Sequence, residues 1–290
     1  MISRGEVHDA LPSNPPADVI IDKWLEKLNS IDDPCVEIVE QSGVLFDFWL
    51  FGSQGSIENI WDSFSSSPIM THFGWSPLVE LAFDTNRDLI HPTPVWEPFL
   101  STQPFRSNIE RYTMLHGLLV LHVRRGDYQD HCDHLAKWSS SYMSFNTFPD
   151  IPDRFSPPEG GGWGENTPEN MDIYLSHCFP SIEQIVAKVE SVRTTDAAAG
   201  LQNIYIMTNG AVPWVQELKD ALKKSGHFTS VTSSRDMVLN WEQKYVAQAV
   251  DMLIGQRAQA FIGNGFSSMT SNINMLRMAN KFRRDSIHFW

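Results

Sequence analysis

The chain has 290 residues, 42% hydrophobic and 20% charged, a composition that supports a large buried core and excludes disorder throughout. Its net charge of -13 excludes a broad electrostatic grip on nucleic acid or anionic lipid, so a polyanionic ligand must be held by a few cations and backbone amides. Apolar runs such as Gly117–Leu121 fall far short of the ~20 residues of a membrane span, and no secretory signal is expected in Met1–Pro16. Three cysteines, Cys35, Cys132 and Cys178, allow at most one bridge, and no CxxC pair exists.

In chain order, Pro12, Pro15 and Pro16 predict a frayed leader over residues 1–16. The spacing of Ile20, Ile21, Trp24, Leu25 and Leu28 predicts a helix over Asp18–Leu28, and the run Val44–Phe51 reads as a buried strand. Ser63–Phe105 is broken by prolines, with one helix expected near Pro77–Asp84. The character changes near residue 106. A smaller irregular part is therefore expected over 1–106, and a Rossmann-type domain over 107–290. Gly117–Val123 reads as a strand buried on both faces. The insertion at about 128–168, rich in Pro and Gly from Asp133 to Pro168, reads as an extended surface loop or lid. Beyond it come a helix over Pro180–Val192, a strand over Asn203–Thr208 and a helix over Val212–Ser225. A strand over Phe228–Thr232, a helix over Lys244–Gln256, a strand over Ala258–Ile262 and a helix over Ser267–Asn280 complete the pattern. This alternation predicts an α/β fold with a parallel sheet and ligand loops at the strands' C-terminal ends.

Two constellations carry chemistry. His122-Val123-Arg124-Arg125-Gly126-Asp127 ends the first buried strand, where two guanidiniums can hold a pyrophosphate and Asp127 can orient one of them. A structural Arg–Asp pair is the competing reading. Phe261–Thr270 reads as strand, small-residue turn and helix start, where Ser267, Ser268 and Thr270 can cap and expose the first N–H groups to a phosphate. It is no dinucleotide fingerprint, since only Gly263 and Gly265 are present. Asp251 can accept paired hydrogen bonds from guanine, or can simply lie on a solvated helix face. His131, Cys132 and His134 form a weaker zinc candidate, and a Cys132–Cys178 bridge, which needs an oxidising compartment, would clip the insertion. Trp138, Trp163 and Trp241 can stack on sugar or base, or serve the core.

His122-Val-Arg-Arg-Gly-Asp resembles the H-x-R-x-G/T-D motif of GDP-fucose-dependent O-fucosyltransferases and α1,6-fucosyltransferases. Asp251 and Ser267 match the family's spacing of guanine-binding Asp and phosphate-binding Ser, and Phe261–Thr270 is close to the protein O-fucosyltransferase version. The resemblance spans roughly residues 117–290. It implies a GT-B-like fold with a C-terminal donor domain, GDP-fucose as donor, a hydroxyl acceptor on protein or glycan, inverting transfer and no essential metal or other cofactor. Arg124 would neutralise the β-phosphate, His122 would sit near the nucleotide or support the arginine, and Ser267, Ser268 and Met269 would bind phosphate largely through backbone. Asp251 would read guanine. The family's Thr-Asp motif is here Thr208-Asn209, which keeps hydrogen bonding without the charge. The family's Gly/Asn-rich N-terminal strand–turn–helix has no counterpart before residue 106, Gly52-Ser-Gln-Gly55 being a poor substitute. The resemblance also implies a secretory-pathway lumen, although neither signal nor anchor is read in the chain. A non-catalytic GDP-sugar-binding remnant and a transferase for another nucleotide sugar are the alternatives.

Overall fold

The computed structural model describes residues 2–13, 15–39, 57–93 and 97–290. The strand expected over Val44–Phe51 and the Gly52–Gly55 turn lie outside them. Residues 2–8 of the leader form regular structure where fraying was expected. Ile2–Ser3 (β1) pairs in parallel with Ile38–Val39 (β2), and Ser3 and Glu6 close a capping box on the helix Arg4–His8. That Ser-x-x-Glu signal outweighs the nearby prolines, of which Pro16 stands as N-cap of the helix Ala17–Asn29. Ile2, Val7, Ala17, Ile20 and Trp24 bury one another in a small N-terminal cluster.

Strands β3 (Leu115–Val123), β4 (Asn203–Thr208), β5 (Ser230–Ser233), β6 (Ala258–Gly263) and β7 (Ile287–Phe289) form one sheet in the order β5-β4-β3-β6-β7, parallel throughout. Both faces are covered. Leu118 and Val120 of β3 join Tyr205, Met207 and Phe261 under the helices Pro77–Thr85 and Ala247–Arg257. Leu119, Leu121 and Val123 point the other way, against the helices Ile182–Arg193 and Val212–Lys223. This is the period-two division expected of a continuous apolar strand. The core does not divide at residue 106, because Val79, Phe83, Ile90, Leu100 and Tyr112 share one cluster with the sheet.

The insertion is a wall and not a lid. It opens with the helix Tyr128–Lys137 and ends with the helix Pro168–Cys178. Between them Tyr142, Phe145, Phe148 and Ile151 are buried with Trp61, Phe266 and Phe289. Aromatic rings in the Pro/Gly-rich text supply that core. Cys132 and Cys178 are bridged across it, with Cα atoms 6.0 Å apart. The disulfide closes a separation of 46 residues, so removing it frees considerable chain entropy in the unfolded state. Cys132→Ala with Cys178→Ala should therefore lower the unfolding free energy by about 2–4 kcal/mol in denaturant titrations. A loss below measurement error would show that the aromatic wall alone holds the insertion.

Candidate active site

Strand order turns back on itself between β3 and β6, the place where ligands settle on open parallel sheets. The two strands run in register at Leu121↔Ile262, so the exits at His122–Asp127 and Gly263–Ser268 are neighbours. His122 Nδ1 lies 2.8 Å from Thr270 Oγ1, joining the first exit to the helix Ser268–Ala279 that follows the second. The same Thr270 oxygen accepts the Asn264 N–H at 3.2 Å, and Trp290 Nε1 donates to the His122 carbonyl at 2.9 Å. His122 is buried, and burial first, then Arg124, pushes its pKa down to about 3. It is a neutral strut.

Ser267 is the N-cap of the helix Ser268–Ala279, in extended backbone and with no side-chain capping bond. Ser268 is exposed and Met269 half-buried, so the first turn opens outward. A twelve-residue helix presents amide N–H groups and a partial positive charge there, a fit for an anion. The turn before it is braced by the insertion: Met143 N–H and Asn146 Nδ2 each donate to the Gly265 carbonyl at 2.9 Å. A Cβ on Gly265 would collide with the Tyr142 ring, so only glycine permits this brace.

Arg124 is partly exposed, with its guanidinium 4.9 Å from the Tyr128 ring centroid and 3.9 Å from Asp127. Asp127 holds it loosely, since the Asp127 side chain is 88% exposed. Arg125 is elsewhere, which corrects the expectation of a paired clamp. Its guanidinium lies 4.2 Å from the Phe179 ring and 4.1 Å from the Trp214 ring, and Nη2 donates to the Pro180 carbonyl. Successive residues leaving a strand point to opposite sides, and that period alone would have separated the two arginines in the sequence. The cavity of about 700 Å³ beside Arg125 is also lined by Asp172, Glu183 and Glu217, the wrong charge for a diphosphate.

Asn209 explains itself. Its Oδ1 accepts the Arg125 N–H at 2.7 Å and its Nδ2 donates to the Arg125 carbonyl at 3.0 Å, a two-way bond that a carboxylate cannot make. Thr208 serves the adjoining turn, its Oγ1 accepting the Gly210 N–H at 3.0 Å. Sequence reasoning missed Arg235, whose guanidinium donates to the carbonyls of Asn209 at 2.8 Å and Gly210 at 3.1 Å. Cys132 lies in the disulfide, so the His131–His134 cluster offers no thiolate. Among the described residues no three His, Cys, Asp or Glu side chains are grouped as metal ligands.

Asp251 is buried, not on a solvated helix face. Tyr205 donates to its Oδ1 at 2.7 Å and Ser234 to its Oδ2 at 2.9 Å. Burial pushes its pKa up to about 7, opposed by the Tyr205 and Ser234 hydrogen bonds and by Arg235. The folded state thus keeps a proton that the unfolded chain releases near pH 3.8. Stability from this group is complete below that pH and is lost as pH rises toward 7. Asp251→Asn removes this dependence. Across that window its stability relative to the parent should rise by up to about 1.4 kcal/mol per pH unit in denaturant titrations. A constant difference would mean that Asp251 is ionised throughout.

Residues 103–280 match the family model described as GDP-fucose protein O-fucosyltransferase. No curated protein matches the chain by sequence. The fold is similar to that of POFUT1 in complex with GDP, in a high-resolution dataset (16% identity, 96% of this chain, 61% of that chain, TM-score 0.51). Crystal form III of POFUT1 in complex with GDP gives 17% identity, 98% and 62% coverage and a TM-score of 0.51. The POFUT1 apo-form gives 16% identity, 99% and 62% coverage and a TM-score of 0.50. At these identities the likeness establishes the GT-B-like α/β fold, and the chain spans about three fifths of those structures' length. Over more than half of its residues this chain carries the family's sequence pattern, and it belongs to the GDP-fucose protein O-fucosyltransferase family.

Proposed function

We propose that the protein transfers fucose from GDP-fucose to a hydroxyl on an acceptor protein or glycan, with inversion and without an essential metal. What supports this reading is that two neighbouring strand exits are tied by the His122–Thr270 bond, one carrying Arg124 and the other the open helix start at Ser267–Met269. One exit supplies a guanidinium and the other a row of backbone amides, a donor set suited to a diphosphate leaving group. As the acceptor oxygen bonds to C1 and the C1–O bond to the β-phosphate breaks, negative charge grows on the phosphate. Arg124 meets that charge in the transition state more strongly than in the ground state.

His122 is neutral and already engaged, so its role is to hold Thr270 and the helix start in place. Asp127 steadies Arg124 from the solvent side. Asp251, carried to the same end of the sheet by the helix Ala247–Arg257, reads the guanine edge in its ionised form, with Ser234 and Tyr205 fixing its carboxyl oxygens. Thr208 and Asn209 shape the turn between the arginine loop and Arg235.

A release assay for GDP from GDP-fucose tests the reading. Arg124→Lys should lower turnover by about 10²–10³-fold with an unchanged melting temperature, because an ammonium cannot reproduce the planar fork of donors. Near parental turnover would remove Arg124 from the leaving-group role. Turnover should also survive excess EDTA. A tenfold loss on chelation, restored by Mg²⁺ or Mn²⁺, would overturn the metal-free mechanism, and GDP binding without any turnover would overturn the transfer itself.

A further inference from the structure

Arg125 has no evident task in that scheme, yet it is held more firmly than Arg124. It is 6% exposed, lies between two aromatic faces, and leaves Nε and Nη1 without a hydrogen-bond partner. Burial alone lowers its proton affinity, with no carboxylate contributing. A buried cation without a counter-ion does not stabilise a fold, and an apolar side chain of the same reach would pack there at no loss. What a guanidinium supplies is direction: two faces and an in-plane donor to the Pro180 carbonyl admit one orientation. Its main chain is fixed as well, by the two-way bond to Asn209.

Trp214 supplies one of the rings that grip Arg125, and the other contacts to its guanidinium come from the turn that follows the disulfide. Phe179 supplies one ring and Pro180 the carbonyl. The residue before them, Cys178, accepts a 2.9 Å hydrogen bond at its carbonyl from Asn264 Nδ2. Asn264 in turn shapes the phosphate loop: its Oδ1 accepts the Phe266 N–H at 3.0 Å and its own N–H donates to Thr270. One three-residue turn, anchored through Cys178 to the helix Tyr128–Lys137, thus holds both strand exits.

Resting on the proposed diphosphate site, we infer that Cys178-Phe179-Pro180 is its positioning element, fixing the arginine loop through Arg125 and the phosphate loop through Asn264. Arg125 is then a positioning residue that never touches the donor. Phosphate contacts must be held to within a fraction of an ångström to favour the transition state, and this turn braces the outer parts of both loops beyond the His122–Thr270 bond.

Arg125→Met keeps a straight apolar side chain in the slot and removes the directional tie. Calorimetry with GDP on the parent protein comes first, since failure there would refute the site reading and not this inference. In the variant, kcat should fall roughly tenfold or more while the GDP Kd changes less than about threefold, the split expected of lost alignment. Arg125→Lys should not rescue it, because the plane and not the charge is required. Amide exchange gives a readout independent of activity: the Asn264 and Phe266 N–H groups, on the other loop, should exchange faster while global stability is unchanged or raised. Parallel losses of GDP affinity and kcat, or rescue by lysine, would overturn the inference by making Arg125 a ligand or a source of field. Unchanged exchange at Asn264 and Phe266 would overturn the coupling. Should Arg125→Met fail to fold, Phe179→Leu takes one ring from the clamp and carries the same expectations.

Discussion

The hydrogen bond between His122 Nδ1 and Thr270 Oγ1 is the joint on which the site depends. Neighbouring parallel strands that send their helices to different places open a crevice at their C-terminal ends, and β3 and β6 do this where the strand order reverses. A crevice alone has no fixed width. Here a buried, neutral imidazole on one lip meets a helix-start hydroxyl on the other, and the same hydroxyl takes the Asn264 amide. Burial keeps that imidazole uncharged, so the joint does not titrate across the neutral range and adds no charge of its own.

With a net charge of -13, the placement of each cation matters more than the number. Arg257 is buried and pairs with Glu97, and Arg277 is buried against the carbonyls of Gly255 and Ala258, tying the helix Ser268–Ala279 to the end of the helix Ala247–Arg257. Arg125 and Arg235 are both turned onto backbone carbonyls. Arg124 faces outward, held by a ring and a distant, exposed carboxylate. At the C-terminal ends of the strands Arg125 and Arg235 therefore build the loops, whereas Arg124 stays partly exposed.

Strands β3, β4 and β6 and the helices between them were legible because each is a largely apolar run or a helical repeat of sufficient length. Asn203–Thr208 was read to the residue. Strand β7 is three residues, too short for any periodicity to register, and it is identified only by its partner β6. The helix Tyr128–Lys137 was readable in principle, since Tyr128, Cys132, Leu135 and Ala136 follow one helical face, but the Pro/Gly-rich text after it suggested a loop. The same text hid the aromatic wall, because rings that pack against distant segments leave no local repeat. Arg124, His122, Asp251 and Ser267 are proposed on motif and spacing. Arg235 and the turn Cys178–Pro180 act through main-chain contacts between segments far apart in the chain, which no spacing encodes, whereas Asn209 was marked by its place after Thr208.

The structure of the protein crystallised with GDP tests the central claim most directly. The diphosphate should lie between the Arg124 guanidinium and the amides at Ser267–Met269, with the guanine edge on Asp251 and Arg125 still enclosed by Phe179 and Trp214. A diphosphate bound on Arg125 in the cavity beside Trp214, or one held through a metal ion away from Arg124, would contradict the account.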